Sequence, residues 1–412
     1  MFNNMSQKAP EKRRICIIGA GASGLMAAVC AARAGAPDVL VLEKSDEPGR
    51  KLAATGNGKC NLSNLKCADW QKALEVFSDL GLMTRTDSEG RIYPYSEDAR
   101  DVVSLLVRAA EKAGAEIRTG AVAAGIERAG NGFRISVKRT DSIRTKAGKR
   151  RAYKLVEEAW NAADTEYIEA EKVLIATGGK SYPVYGTTGD GYVFARKLGH
   201  TVARLRPSLT TVETAENVKA LGLSGVRAKG EASLYRNGTM IASERGEIQF
   251  TDRGISGICV FDLTREMALE PGRGFGDFRI SIDLVPDMSL ERLEVYLADG
   301  RAEGYTERES LCSLIKAPVA DVIAGRKLSD RGAAEQIKSF ELTPVGLGGW
   351  ERAQVTAGGV DLGEIDPKTM ESRLIPGLYF SGEVTDYDGP CGGFNLQNAW
   401  MTGIKAGRAM AE

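Results

Sequence analysis

The sequence predicts an α/β chain in which one sheet domain is assembled from both ends of the polypeptide, around a β-rich insertion and a small helical cap. Three observations predict it. A short apolar run at 14–18 feeds straight into a glycine-rich turn and a helix-forming stretch. Two further apolar runs, ending in small residues at 176–179 and 381–382, lie far apart in the chain. Between them, short alternating runs with glycine turns give way to leucines at helical spacing.

The first element is Arg14-Ile15-Cys16-Ile17-Ile18, the kind of run a buried parallel strand needs. It enters Gly19-Ala20-Gly21-Ala22-Ser23-Gly24, a GxGxxG in its required context. Gly19 permits the tight turn, Gly21 lets the backbone approach a pyrophosphate, and Gly24 allows close helix-to-strand packing. Ala22 and Ser23 complete the turn. Helix formers follow from Leu25 to Arg33, Gly35 is placed to end the helix, and residues 38–42 read as the second strand. It finishes at Glu43-Lys44, where a carboxylate can accept both ribose hydroxyls and repel a 2′-phosphate. Strand, fingerprint, helix, strand and acid at this spacing predict a bound FAD or NAD.

Next comes Pro48-Gly49-Arg50-Lys51 and a Gly/Asn-rich stretch through Asn57, Gly58 and Asn64, which reads as an ordered loop. Arg50 and Lys51 are placed to neutralise a pyrophosphate, and the Gly/Asn backbone can lie against a flat ring. Val122 is taken as a further nucleotide-side position. Residues 173–175 form a second apolar strand running into Thr177, Gly178 and Gly179, as expected where a strand's carboxyl end abuts a nucleotide. Residues 377–380 give a strand running into Gly382-Glu383, and Gly393-Phe394-Asn395-Leu396 opens a last helix. Glu383 is placed to bond ribityl or pyrophosphate-side hydroxyls. The N–H groups at Asn395 and Leu396 can face a flavin's N1/O2 edge, where reduction develops negative charge.

These segments, with 176–191, 246–257, 356–360 and 369–372, resemble the HI-type bacterial flavoprotein family over nearly the whole chain. That family includes the bile-acid-inducible N reductase and aminoacetone oxidase-like proteins. The resemblance implies a Rossmann-like, glutathione-reductase-type FAD-binding domain with an inserted middle region. It also implies distant kinship with fumarate-reductase-type flavoproteins.

The expected domains are residues 1–203 and 339–412 for the FAD-binding part, 204–285 for the β-rich insertion and 286–338 for the helical cap. Residues 131–138 and 166–175 read as strands flanking a charged stretch, 140–165, taken as a long hairpin excursion. Its basic part, 139–151, lacks interleaved aromatics and reads as a solvated loop. Leu290, Leu293, Leu297, Leu311, Leu314 and Ile315 recur at helical spacing and read as core of the cap.

Composition narrows the chemistry. Lys+Arg and Asp+Glu both total 55, so no global field draws the chain to nucleic acid or an anionic membrane, and a small-molecule substrate is expected. The seven cysteines include no CxxC pair, which fits a reducing, cytoplasmic setting without a metal site. Lys12-Arg13-Arg14 before an apolar run mimics a leader peptide, but the glycines at 19, 21 and 24 argue otherwise. No other run is long and apolar enough for a membrane span. The single histidine, His200, follows Leu198-Gly199 just after an expected helix and is not read as catalytic, and without it no Ser-His-Asp or Cys-His constellation can be assembled. Cys60 and Cys391 have no paired cysteine and read as packing residues.

Flavin chemistry asks less of the protein: hydride passes at N5 and a nearby acid handles a proton. Tyr182, Tyr185, Tyr387 and Asp388, on two loops expected to border the ring, are the candidates. No second GxGxxG follows a strand, so NAD(P)H, the expected donor, would bind transiently in the substrate cleft. By resemblance the first expectation is reduction of the activated C=C bond of a 3-oxo-Δ4 or Δ6 bile acid or steroid-like enone. Alternatives are an FAD-dependent amine oxidase and an FAD-dependent nucleic-acid-binding or modifying protein.

Overall fold

The computed structural model describes residues 9–140, 165–267 and 274–412. The hairpin excursion and most of its basic stretch therefore fall outside the described residues. The chain divides into two compact units, Met1–Arg206 with Val355–Glu412, and Pro207–Gln354.

The first unit is built on a seven-stranded sheet. Strand β1 (Glu11–Ile18) leads through the glycine turn into helix α1 (Ala22–Arg33), and β2 (Val39–Leu42) returns parallel to it. Every side chain of β2 and the last four of β1 are buried, as a parallel strand covered on both faces requires. Two helices, α2 (Trp70–Asp79) and α3 (Ala99–Lys112), lie in the long connection to β3 (Glu116–Arg118), which pairs with β2. A meander follows: β4 (Ala121–Ala129), β5 (Gly132–Arg139) and β6 (Glu166–Ile175), antiparallel in turn.

Strand β6 organises the sheet. One edge runs parallel to β1 along its whole length, Glu11 opposite Ile168 and Ile18 opposite Ile175. Its other edge is shared: the first half pairs with β5, and residues 173–175 pair in parallel with the strand Leu378–Phe380. The carboxyl ends of β1, β2, β6 and the C-terminal strand therefore lie in one row, and Gly19, Glu43, Ala176 and Ser381 leave the sheet together. Ligands of open α/β sheets bind at such an edge.

The C-terminal helix Phe394–Ala411 packs on α1 through small residues. A Cβ on Gly403 would lie 2.5 Å from the Ser23 carbonyl oxygen, and one on Gly407 would collide with that of Ala27. Trp400 is fully buried edge-on to Phe77, with ring centroids 5.1 Å apart, and donates its indole N–H to the Leu62 carbonyl at 2.9 Å.

The second unit holds an antiparallel seven-stranded sheet around the long hairpin of Arg227–Arg236 and Thr239–Thr251. Four helices between Leu290 and Lys338 share one core with it, where Leu293, Leu297 and Leu311 are buried beside Ile248, Phe250 and Ile280. Leu314 and Ile315 sit partly buried against that core. A helix, Ile258–Glu266, interrupts the stretch read as β-rich, because Cys259, Val260 and Leu263 put their apolar groups on one helical face.

Candidate active site

At the glycine turn two sides are closed and one is open. Gly19 has φ +107°, donates its N–H to the Leu42 carbonyl at 2.8 Å, and lies so close to β6 that a Cβ would sit 2.5 Å from the Ala176 carbonyl oxygen. A Cβ on Gly24 would collide with the Gly19 carbonyl, whereas one on Gly21 would meet nothing within 4 Å. No side chain caps α1, so the first-turn amides of Ala22, Ser23 and Gly24 carry the positive end of the helix without a capping side chain. The Ser23 hydroxyl turns away, donating to the Ser381 carbonyl at 3.2 Å.

Glu43 ends β2 with both carboxylate oxygens anchored: the Ala20 N–H donates to one at 2.9 Å and the Ser45 N–H to the other at 2.8 Å. A carboxylate has about four lone-pair positions, so each oxygen keeps capacity for a further donor. The Glu43 main chain is bridged to Arg118 and Ala121, which brings Val122 alongside. That valine's side chain is buried.

The two lysines taken as nucleotide-side groups are bonded within the protein. Lys44 pairs with Asp190 and donates to Thr188 Oγ1 at 2.7 Å, tying the loop after β6 to the end of β2. Lys51 donates at 2.7 Å to both Ser181 Oγ and Glu383 Oε2. The other Glu383 oxygen accepts from Ser181 Oγ and the Thr356 N–H, each at 2.9 Å. Gly179 is required here, since a Cβ would sit 2.5 Å from Glu383 Oε1. Arg50 lies 3.7 Å from Asp46. Ser181 and Thr356, absent from the sequence-based site, are fully buried members of this cluster.

The Gly/Asn loop is ordered by left-handed backbone: Gly56, Asn57, Gly58 and Cys60 all have positive φ. Asn57 stays exposed, while Ser63 Oγ donates to Gln397 and Asn64 Nδ2 to the Gly392 carbonyl, docking the loop on the start of the C-terminal helix. Gly393, at φ +105°, leaves no room for a side chain beside the Ser63 carbonyl. Next to it, Asn61 Oδ1 is buried without a partner among the described residues. That helix, like α1, has no side-chain cap. Two uncapped helix starts, an open glycine face and an orphaned buried acceptor fit an elongated dinucleotide.

Tyr182 and Tyr185 share one loop with ring centroids 5.8 Å apart. Tyr182 holds the left-handed backbone region, φ 53°, strained for a residue with a Cβ, and Thr187 Oγ1 clamps its carbonyl at 3.0 Å. Burial, then the neighbouring Tyr185, pushes its phenol above the usual 10. Tyr387 and Asp388 sit on a second loop, fixed by the Asn395 side chain, which accepts from the Gly389 N–H and donates to its carbonyl, both at 2.8 Å. Asp386, on that loop but absent from the sequence-based candidates, has its carboxyl pushed up by burial and by the charges of Asp388 and Asp361.

His200 lies among Phe380 and Ser372 as a buried structural residue. Cys60 is fully buried, its thiol pushed up to about 12 by desolvation, and none of the seven cysteines is joined in a disulfide among the described residues. Among the described residues no group of His, Cys, Asp or Glu could hold a metal ion, and no helix is long and apolar enough to cross a membrane.

The row of strand ends, the glycine turn and the acid closing β2 define a protein with a Rossmann-type FAD-binding domain. The chain belongs to the HI0933-like family, whose Rossmann-domain model matches residues 13–74 and 150–409. It is 32% identical over 436 residues to the 3-dehydro-bile acid delta(4,6)-reductase of Clostridium scindens, covering 97% of this chain and 99% of that protein. It is 28% identical to the ribosomal RNA dihydrouridine synthase of Escherichia coli, over 94% of this chain and 95% of that one. Among solved structures, 3-ketosteroid-delta4-(5alpha)-dehydrogenase from Rhodococcus jostii superposes with a TM-score of 0.51 at 15% identity, over 100% of this chain and 99% of that one, a likeness of fold.

Proposed function

We propose that the chain is an FAD-dependent oxidoreductase that reduces a C=C bond conjugated to a carbonyl, with 3-oxo-Δ4/Δ6 bile acids or steroid-like enones as substrates and NAD(P)H as donor. The observation that carries this reading is the full-length likeness to the delta(4,6)-reductase. In this reading the amides of Ala22, Ser23 and Gly24 hold the pyrophosphate, with Gly19 and Gly21 giving it room, and Glu43 takes the ribose hydroxyls. Thr177, Gly178 and Gly179, with Gly58, supply backbone that a flat ring can approach. Gly382 and Glu383 serve the ribityl side, and the N–H groups of Asn395 and Leu396, behind Gly393 and Phe394, face the edge where negative charge develops. FAD, when bound, supplies the hydride that reaches the β-carbon. Tyr182, Tyr185, Tyr387 or Asp388 delivers the balancing proton to the α-carbon, and the raised carboxyl of Asp386 adds one more candidate.

A second reading is favoured by the two ribosomal RNA dihydrouridine synthases among the relatives, at 28% and 29% identity. The C5=C6 bond of uracil is conjugated to the C4 carbonyl, so the bond reduced is of the same kind and only the substrate's carrier differs.

The deciding experiment is anaerobic. NADH or NADPH is added to holoprotein and the visible flavin band is followed to bleaching. A 3-oxo-Δ4 bile acid or unmodified ribosomal RNA is then added. Return of the band with the bile acid is the expected result. Return with RNA alone moves the assignment to uridine, and absence of bleaching with either nucleotide removes NAD(P)H as donor. In a parallel aerobic assay, where oxygen accepts the electrons, peroxide release with an amine in place of both would overturn the reductase reading.

A further inference from the structure

Four segments far apart in the chain meet at one carboxylate. Lys51 follows β2, Ser181 follows β6, Thr356 lies where the chain re-enters the first unit, and Glu383 follows the C-terminal strand. Ser181 and Thr356 are fully buried. The side chains of Lys51 and Glu383 keep 21% and 19% exposure, so the pair is partly open. The main-chain N–H groups of Lys180 and Ser181 both donate to Thr356 Oγ1, at 2.7 and 3.2 Å, which locks the threonine in place.

Valence counting shows what this opening can take. The Lys51 ammonium has three N–H donors, of which Ser181 and Glu383 use two. Glu383 Oε1 accepts from Ser181 and Thr356 and is filled, while among the described residues Oε2 accepts from Lys51 alone. One donor on Lys51 and one lone pair on Oε2 remain, on bonded neighbours. A hydroxyl group accepts from the first and donates to the second. A phosphate oxygen only accepts, and it would meet the charge of Glu383 at the distance where Lys51 is already neutralised.

We propose that Lys51, Ser181 and Thr356 are positioning residues that act with Glu383 as one unit, presenting a paired donor and acceptor to a polyol hydroxyl of the cofactor, and that Lys51 does not serve the pyrophosphate. The proposal rests on the FAD reading, for which the matching group is the ribityl chain. It revises the pyrophosphate role that sequence position alone gave Lys51.

The test is a double-mutant cycle on holoprotein with Lys51→Met, Glu383→Gln and the double variant. It reads FAD dissociation by the recovery of free-flavin fluorescence on dilution, and displacement of FAD by ADP, which carries the pyrophosphate without the polyol. Each single variant is expected to release FAD about tenfold more readily, the loss of one charge-assisted bond. The double variant should be no worse than the poorer single, and the affinity for ADP should stay unchanged. Ser181→Ala should give a smaller loss in the same direction. Losses that multiply in the double variant, or an ADP affinity that falls with FAD affinity in Lys51→Met, overturn the proposal. Should Lys51→Met fail to fold, Lys51→Gln, which keeps a donor toward Glu383, runs the same cycle. Wild-type protein that carries no FAD at all defeats the FAD reading instead, so the two failures are distinct.

Discussion

His200 shows how a single side chain can be read from its partners. Ser372 Oγ already accepts the N–H groups of Leu374 and Ile375, at 3.0 and 2.9 Å, so its proton points to His200 Nε2 at 2.7 Å. The ring is thereby held neutral, and burial lowers its pKa below the usual 6.5. An unfolded chain takes up a proton near pH 6.5 and the folded one does not until lower pH, so the unfolded state binds more protons in that window. Stability owed to this residue is present above pH 6.5 and is lost as pH falls below it. With one histidine in the chain, the urea midpoint should fall more between pH 7.5 and 5.5 in the wild type than in His200→Gln. Equal falls would show that the imidazole is not the group responsible. The residues legible from sequence were those whose role is local. Gly19, Gly21, Gly24 and Glu43 fall within one βαβ unit, where spacing in the chain fixes spacing in the fold. The partners of Lys44 and Lys51 come from more than a hundred residues away, and no local pattern announces them.

Among the elements, the loop of residues 181–190 carries Tyr182 and Tyr185 and is clasped at both ends. Its start is fixed by Ser181 in the Glu383 cluster, and its end by the Lys44–Asp190 pair, whose side chains are only 15% and 14% exposed. Removing one partner of a mostly buried pair leaves the other charge uncompensated. Some solvent reaches this one, so the cost should be about 1–3 kcal/mol rather than the full range for dry pairs. Lys44→Met and Asp190→Asn should each lower the melting temperature by a few degrees and cut turnover, with FAD retention almost unchanged. If FAD is lost first and turnover per bound flavin stays constant, Lys44 is a cofactor ligand after all. The sequence pattern marks β1, α1, β2, β5, β6, the C-terminal strand and the last helix, but it passes over α2, α3, β3 and β4. For α3 the signal was present: Asp98 accepts the Arg100 N–H as an N-cap, and Ala99, Val102, Leu106 and Ala110 make a buried stripe at helical spacing. The helix Ile258–Glu266 was hidden for a different reason. At nine residues between short strands and glycine turns, its apolar positions fit either period.

For the whole molecule, the governing feature is that the first unit needs both ends of the chain. Without residues 355–412, the β6 backbone at 173–175 loses its parallel partner Leu378–Phe380, and a buried polar edge is laid open. The small-residue face of α1 loses Gly403 and Gly407, which bring the last helix into backbone contact, and Phe77 loses Trp400. The Glu383 cluster and the uncapped helix start at Phe394 go with them, while the glycine turn and Glu43 remain. The nucleotide fingerprint should therefore be insufficient by itself. A chain ending at Gln354 is expected to aggregate or elute without flavin absorbance, even though every residue of the GxGxxG turn is present. Size-exclusion chromatography of that truncation, monitored at the protein and flavin bands together, checks it. A monodisperse truncated protein that still carries stoichiometric FAD would show that the N-terminal βαβ unit holds the cofactor alone, and that the C-terminal strand and helix shape only the ground on which substrate binds.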